Sequence, residues 1–300
     1  MDRKELRGSL CLLLTAVIWG AAFVAQSVSM DYIGPFTFQC VRSLLASLVL
    51  LPVTLLLRAR RRRRGEEPVG GDRRALWKAG LLCGLIMTVA TNLQQVGMQY
   101  TTPGKAGFIT ALYIVLVPLL GLFRGRRPSL RLWLCVALAL VGLWLLSMTG
   151  GFALSTGDLL VLLCAVAFSF HILAVDRFAP LVDGVALSCI QFLVTGVLSG
   201  VLMLLFETPR LPAIGQAAVP ILYAGIMSCG VAYTLQIIGQ KYARPTVASL
   251  LMSLESVFAL LTGMVILRQI PTPREAVGCA VMLAAIVLAQ LPEKAGHRAQ

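Results

Sequence analysis

An all-α polytopic membrane protein, with ten transmembrane helices arranged as two inverted five-helix repeats, is the fold class this sequence predicts. Three observations predict it. The composition is 58% hydrophobic and only 13% charged, with a mean hydropathy of +0.86, too little polar surface for a water-soluble globule of 300 residues. Apolar runs of the length that crosses a hydrocarbon core as helix recur along the whole chain. One constellation also occurs twice, 142 positions apart: Leu93-Gln94-x-x-Gly97-x-x-Tyr100-x-x-Pro103-x-x-Ala106 and Leu235-Gln236-x-x-Gly239-x-x-Tyr242-x-x-Pro245-x-x-Ala248.

The runs place spans at 9–29, 34–57, 76–97, 105–123, 130–149, 157–175, 184–206, 216–239, 246–267 and 275–291. They lack the alternation of strands, so a barrel is set aside in favour of helices, whose backbone bonds close internally. Arg3, Lys4 and Arg7 ahead of the first run resemble a secretory signal. That run continues to about Met30, however, and Leu13, Leu14, Ala16, Val17 and Cys40 meet Leu162, Leu163, Ala165, Val166 and Cys189 at an offset of 149, so a permanent helix is expected. Between the second and third spans the offset falls from 149 to 142, which puts seven extra residues of the first half in the Arg-rich loop 58–75. Pro103 and Pro245 are good first-turn residues for the fourth and ninth spans. Gly80-x-x-x-Gly84 and Gly196-x-x-x-Gly200 have the spacing that lets helices approach closely, and Pro52, Pro118 and Pro220 interrupt hydrophobic helices. The first repeat is then 8–149 and the second 157–291, followed by a cytoplasmic tail, 292–300. Five crossings per unit is an odd number, so the second copy starts on the opposite side of the bilayer and the repeats are inverted.

Charge orients the bundle in the cell membrane. With the N-terminus cytoplasmic, only Lys105, Arg210, Arg268 and Arg274 of the 26 Lys and Arg fall on the far side, and Arg42 lies within a span. The positive-inside rule therefore expects both termini in the cytoplasm. The net charge of +13 is accounted for by those loops rather than by nucleic acid, and the run Arg60 to Arg64 reads as a topology determinant beside the lipid headgroups. All eight cysteines lie inside spans with no Cys-x-x-Cys pair and read as small packing residues.

Ionisable groups deep in membrane helices are costly and mark a polar interior. Glu255 sits mid-span in the ninth helix between Ser253 and Ser256, where the first repeat has Tyr113. Two readings stand open for it, a substrate ligand or proton carrier, and an interior carboxylate held by hydroxyls or by Arg42. His171 in the sixth helix is a candidate relay or a satisfied wall residue, and it has too few partners for a metal site. Arg42 cannot lose its charge and needs an anion, carbonyls or the interface. Uncharged polar groups form stripes: Thr88, Thr91 or Asn92, Gln95 and Gln99 in the third helix, Tyr233, Gln236 and Gln240 in the eighth, Trp19, Phe23 and Gln26 in the first. They suit either a cavity for a zwitterionic or amphipathic solute or interhelical hydrogen bonds.

Span after span resembles the EamA family of the drug/metabolite transporter superfamily. The residues that carry the resemblance are Trp19-Gly20-x-x-Phe23, Arg42, Leu93-Gln94-Gln95-x-Gly97-x-x-Tyr100, and above all Ala106-Gly107-Phe108-Ile109-Thr110-Ala111-Leu112-Tyr113-Ile114-Val115-Leu116-Val117-Pro118, together covering essentially residues 8 to 291. The resemblance implies a carrier that works by alternating access and moves small metabolites such as amino acids or amphipathic compounds, commonly as an exporter. One departure stands out: family members often close the fourth helix of a repeat with Gly-Glu, whereas this chain has Phe123-Arg124-Gly125-Arg126-Arg127 and Leu267-Arg268-Gln269-Ile270. No coupling role of that acid carries over. The expected partners are a small-molecule substrate, protons as a candidate coupling ion, and the lipid bilayer, with no cofactor and a monomer ahead of a dimer. An enzyme is not expected, because Ser169 and His171 at i, i+2 face different ways, no Gly-x-Ser-x-Gly elbow occurs and no Walker loop is present. A passive channel or facilitator and a non-transporting scaffold are the alternatives.

Overall fold

A computed structural model describes residues 3–65, 72–101, 103–123, 125, 128–147, 155–266 and 272–290. The tail 292–300 with His297, loop residues 66–71, and the fourth- and ninth-span endings at Arg124, Arg126, Arg127 and 267–270 lie outside the described residues. Among the described residues every regular element is helical. They are α1 (Arg3–Ser29), α2 (Pro35–Arg63), α3 (Arg73–Gly97), α4 (Pro103–Ala111), α5 (Tyr113–Leu122), α6 (Leu130–Ser147), α7 (Thr156–Phe178), α8 (Gly184–Phe206), α9 (Leu211–Gln216), α10 (Ala218–Leu222), a π-helical segment (Tyr223–Ala232), α11 (Tyr233–Gln240), α12 (Pro245–Met252), α13 (Glu255–Ile266) and α14 (Pro273–Gln290). Seven helical runs are long and apolar enough to cross a membrane, and Ala106–Leu122 and Leu130–Leu145 are shorter apolar helices. Large apolar side chains such as Leu48, Leu204, Leu205 and Phe206 stand exposed on the outside, the surface that hydrocarbon would cover.

The fourth and ninth spans are each broken, at equivalent places. Leu112 separates α4 from α5, where Leu112 N donates to Ile109 O and Val115 N to Leu112 O, a tightening by one residue. At the equivalent Leu254, its N donates to Leu251 O and Ser256 N to Ser253 O. There the Ser249 and Ser253 hydroxyls also bind carbonyls three residues back, Thr246 O and Leu250 O, and compete with the helical ladder. The breaks make Tyr113 and Glu255 the first residues of α5 and α13.

Helix packing repeats when the two halves are exchanged. α2 packs along α8 and α6 along α14, each pairing a helix with its own counterpart, and α5 packs on α12, the second part of one broken helix on the first part of its equivalent. The contact of α3 with α7 recurs as that of α11 with α1. Its closest points are also exchanged: a Cβ on Gly157 would lie 2.6 Å from Gly97 O, and one on Gly8 would lie 3.0 Å from Gly239 O, so only glycine lets these backbones touch. The two small-residue stripes are packing faces, with Gly80 and Gly84 against Ile190 and Val194, and Gly196 and Gly200 against Leu44 and Cys40.

The α2–α8 seam is fastened at both ends by carboxylates. At one end Asp183 caps its own helix, accepting from Val185 N and Ala186 N at 3.0 Å, and binds Arg61 of α2 at 2.7 Å. At the other end the position equivalent to Asp183 is Gly34, which brings no side chain to cap α2. Glu207, just past α8, supplies the missing cap, accepting from Phe36 N and Thr37 N at 2.8 Å and from Thr37 Oγ1 at 2.5 Å. A Cβ at Gly34 would come within 2.3 Å of that carboxyl group. A capping carboxylate on a helix N-terminus is worth about 1–2 kcal/mol. Glu207→Ala should therefore lower the unfolding free energy by about 1–2 kcal/mol, with Glu207→Gln losing less. Unfolding of the purified variants in detergent checks this, and an unchanged midpoint for Glu207→Ala would show that the cap is idle.

Candidate functional site

Between the halves lies a narrow cavity of about 40 Å³, room for one or two waters. Ten of its lining residues are five repeat-equivalent pairs: Trp19 with Phe168, Phe23 with Ile172, Gln94 with Gln236, Thr110 with Met252, and Tyr113 with Glu255. A cavity lined in this way sits on the axis that exchanges the halves. The last pair meets across it, with Tyr113 Oη donating to Glu255 Oε1 at 3.2 Å. Both residues are buried, and each opens the second half of a broken helix, so the carboxylate sits at the positive end of α13. Ser253 bonds its own helix and no described residue partners Ser256 Oγ, so Tyr113 is the hydroxyl that holds Glu255.

Arg42 enters the cavity from α2. Its Nε donates to Gln39 Oε1 at 2.6 Å, Gln39 Nε2 donates to Thr91 O at 2.6 Å, and the guanidinium lies 4.9 Å from the centre of the Phe38 ring. Only 3% of Arg42 is exposed, yet no described residue accepts from its Nη1 or Nη2 and no described carboxylate pairs with it. The Arg42–Glu255 ion pair considered from the sequence does not form, although both residues line the cavity. A cation this deeply buried is expensive without an anion. Tyr233 packs on Trp19, ring centres 4.6 Å apart, and on Phe192 at 5.2 Å, forming an aromatic wall.

Of the other sequence candidates, Trp19, Tyr113, Tyr233 and Gln236 line this cavity, whereas His171, Asn92 and Gln95 do not. His171 lies behind the wall, its Nε2 3.1 Å from Gln191 Oε1 on α8 and its ring edge-on to Tyr233. Asn92 donates to Ser199 Oγ and Thr88 O at 2.8 Å, and Gln95 reaches Met30 and Gln26 O. The third-helix stripe is thus turned toward neighbouring helices. The cavity is reached by the next residue, Gln94, which donates to Thr110 Oγ1 at 3.1 Å. Gln94, Thr110, Phe168, Ile172 and Ser228 were missed by polarity and periodicity. Exchange with a known candidate across the repeat would have found Gln94, Phe168 and Ile172. Ser228 had no such signal, because it enters the cavity from the π-helical segment, whose wider turn shifts the register that α3 keeps.

Among the described residues no group of three or more His, Cys, Asp or Glu is arranged to hold a metal ion, and all eight cysteines are unpaired thiols. The site is a small, mostly apolar chamber with one buried cation, one carboxylate held by a phenol, two equivalent amides and aromatic walls.

Comparison with known proteins matches this arrangement. The family model described as the EamA-like transporter family fits the chain twice, over residues 6–148 and 155–291. A protein of Archaeoglobus fulgidus named as an uncharacterized transporter is 31% identical over 294 residues, spanning 96% of this chain and 87% of its own length. A solved crystal structure superposes with a TM-score of 0.76 at 23% identity, covering 94% of this chain and 96% of the other, a likeness of fold. The chain belongs to the EamA-like transporter family: it is a multi-pass membrane transporter containing two copies of one unit.

Proposed function

We propose that the protein crosses the cell membrane ten times as two inverted five-helix repeats, with both termini cytoplasmic, and exports small amphipathic metabolites, amino acids among them, by alternating access. The single observation that carries this reading is the cavity lined by five exchanged residue pairs. A binding site at the junction of two equivalent units can be exposed to either face when one unit rocks against the other, and broken helices at the site are a recurring part of such carriers. Counting α4 with α5, α9 to α11 with the π-helical segment, and α12 with α13 as single crossings gives ten.

In this reading Arg42, oriented by Gln39, holds the anionic group of the solute, while Tyr113 and Glu255 hold its ammonium group. Trp19, Phe23, Phe168 and Tyr233 enclose the apolar body, and Gln94 and Gln236 offer amide donors and acceptors from the two halves. Glu255 is also the candidate proton carrier: a proton and the solute compete for one carboxylate, so each leaves when the other arrives. One chain supplies every one of these residues, so a monomer suffices.

A screen of purified protein against amino acids, nucleosides and cationic drugs selects the solute, and proteoliposomes loaded with it are expected to show trans-stimulated uptake of the labelled compound. Flux with no trans-stimulation would mean a channel. Arg42→Gln should weaken binding of a carboxylated solute tenfold or more, the scale of a lost hydrogen bond to a charged group; unchanged affinity in a correctly folded variant would remove Arg42 from the site. Under an imposed pH gradient, wild-type flux should respond to pH and Glu255→Gln flux should not. A pH response that survives this substitution overturns the coupling role.

A further inference from the structure

A second, larger cavity of about 510 Å³ opens at one end of the bundle, between α5, α6, α7 and the α11–α12 junction. The central chamber as it stands admits little more than water, whereas this one is the size of a metabolite site. The two are stacked along the same helices. Ile172 lines the first and Asp176 the second, Gln236 the first and Gln240 the second, Tyr113 the first and Val117 the second, so about one helical turn, roughly 5 Å, separates them. Gln240 stands in the partition. It is 2% exposed, its Nε2 donates to Ile172 O at 3.2 Å, and its Oε1 has no protein partner.

The mouth is polar and carries more positive than negative charge. Lys241 and Arg244 line it, both exposed, and neither pairs with a described carboxylate; Asp176 lines it from α7. Among the described residues, equivalent positions at the opposite end are filled by packed apolar side chains. The residues equivalent to Ile172, Gln240 and Leu251 are Phe23, Met98 and Ile109, which pack into one buried apolar cluster, and Ala259, equivalent to Val117, packs against it. The positions equivalent to Lys241 and Asp176 are Gln99 and Ser27. The vestibule is therefore entered past two cations, whose field low-dielectric walls concentrate, whereas the equivalent positions in the first half, Gln99 and Thr102, are uncharged.

We infer that this vestibule is a separate capture site, on the cytoplasmic side, for solutes carrying an anionic group, with Lys241 and Arg244 drawing the anion in and Gln240 Oε1 accepting a hydrogen bond from the arriving solute. The inference rests on the carrier reading above and on the orientation given by the basic loops. A solute so captured moves inward past Gln240, from the cations at the mouth to Arg42. If Lys241 and Arg244 served topology alone, replacing them would leave solute affinity unchanged.

Three probes with one phenyl body separate the possibilities: 3-phenylpropanoate as anion, L-phenylalanine as zwitterion and phenethylamine as cation. Binding to the purified full-length chain is measured for wild type and for the double variant Lys241→Gln, Arg244→Gln, with single Lys241→Gln kept in case the double variant folds poorly. The double variant should bind 3-phenylpropanoate about three- to tenfold more weakly, with phenethylamine unaffected and the difference fading at high salt. In membrane vesicles of the two orientations its KM for phenylalanine counterflow should rise at the cytoplasmic face only. No binding of the anion to wild type, an unchanged affinity in the variant, or an equal KM rise at both faces overturns the capture site. Absence of counterflow in wild-type vesicles that still bind the probes would sink the carrier reading alone and leave the binding result to decide the capture site.

Discussion

Hydrocarbon offers a polar group no partner, and that constraint governs the whole molecule. It makes every described regular element a helix, because only a helix closes its own backbone bonds within one segment. It turns leucines outward and polar side chains inward, the reverse of a soluble protein. Inside, most buried polar groups bind a carbonyl one turn back, as Thr88 and Thr91 do, or reach a neighbouring helix, as Asn92 reaches Ser199. Some buried groups find no partner among the described residues, and of these Arg42 Nη1 and Nη2, Gln236 Oε1 and Gln240 Oε1 belong to residues that line a cavity, whereas Ser43, Asn92 and Ser188 lie away from both.

Duplication supplies the frame and its departures supply the chemistry. The glycine contacts of α3 with α7 and of α1 with α11 are exchanged almost atom for atom, and the breaks at Leu112 and Leu254 coincide. Identical positions then carry different groups: Tyr113 faces Glu255, and Gly34 stands where the other half has Asp183. In each case the difference creates a contact between halves, a phenol on a carboxylate at the centre and a cap lent by Glu207 at the rim. A perfectly symmetric dimer of halves would place two like carboxylates or two phenols on the axis. Like charges a few ångströms apart oppose one another, whereas a phenol and a carboxylate attract.

The α2–α8 seam differs in kind from the contacts around the chamber. It is held at both ends by carboxylates on helix N-termini and filled along its length by small residues against Leu44 and Cys40. Around the chamber the helices are broken, and Trp19, Tyr233 and Phe192 pack ring against ring.

The sequence by itself determined the helices, the duplication and a large share of the chamber, because hydropathy and repetition are local or simply periodic signals. Glu255, Tyr113, Arg42, Trp19, Tyr233 and Gln236 were all legible as polar or aromatic residues in apolar runs. Tertiary structure alone decided which face of each helix turns to the cavity. Gln94 rather than Gln95 lines it because neighbours fix the rotation of α3, and Ser228 lines it because a π-helical turn moves the register by one residue. Where His171 goes, and that Phe23, Met98 and Ile109 pack into one cluster, depend on distances between helices far apart in sequence. Periodicity within one helix contains no information about those distances; only the assembled bundle does.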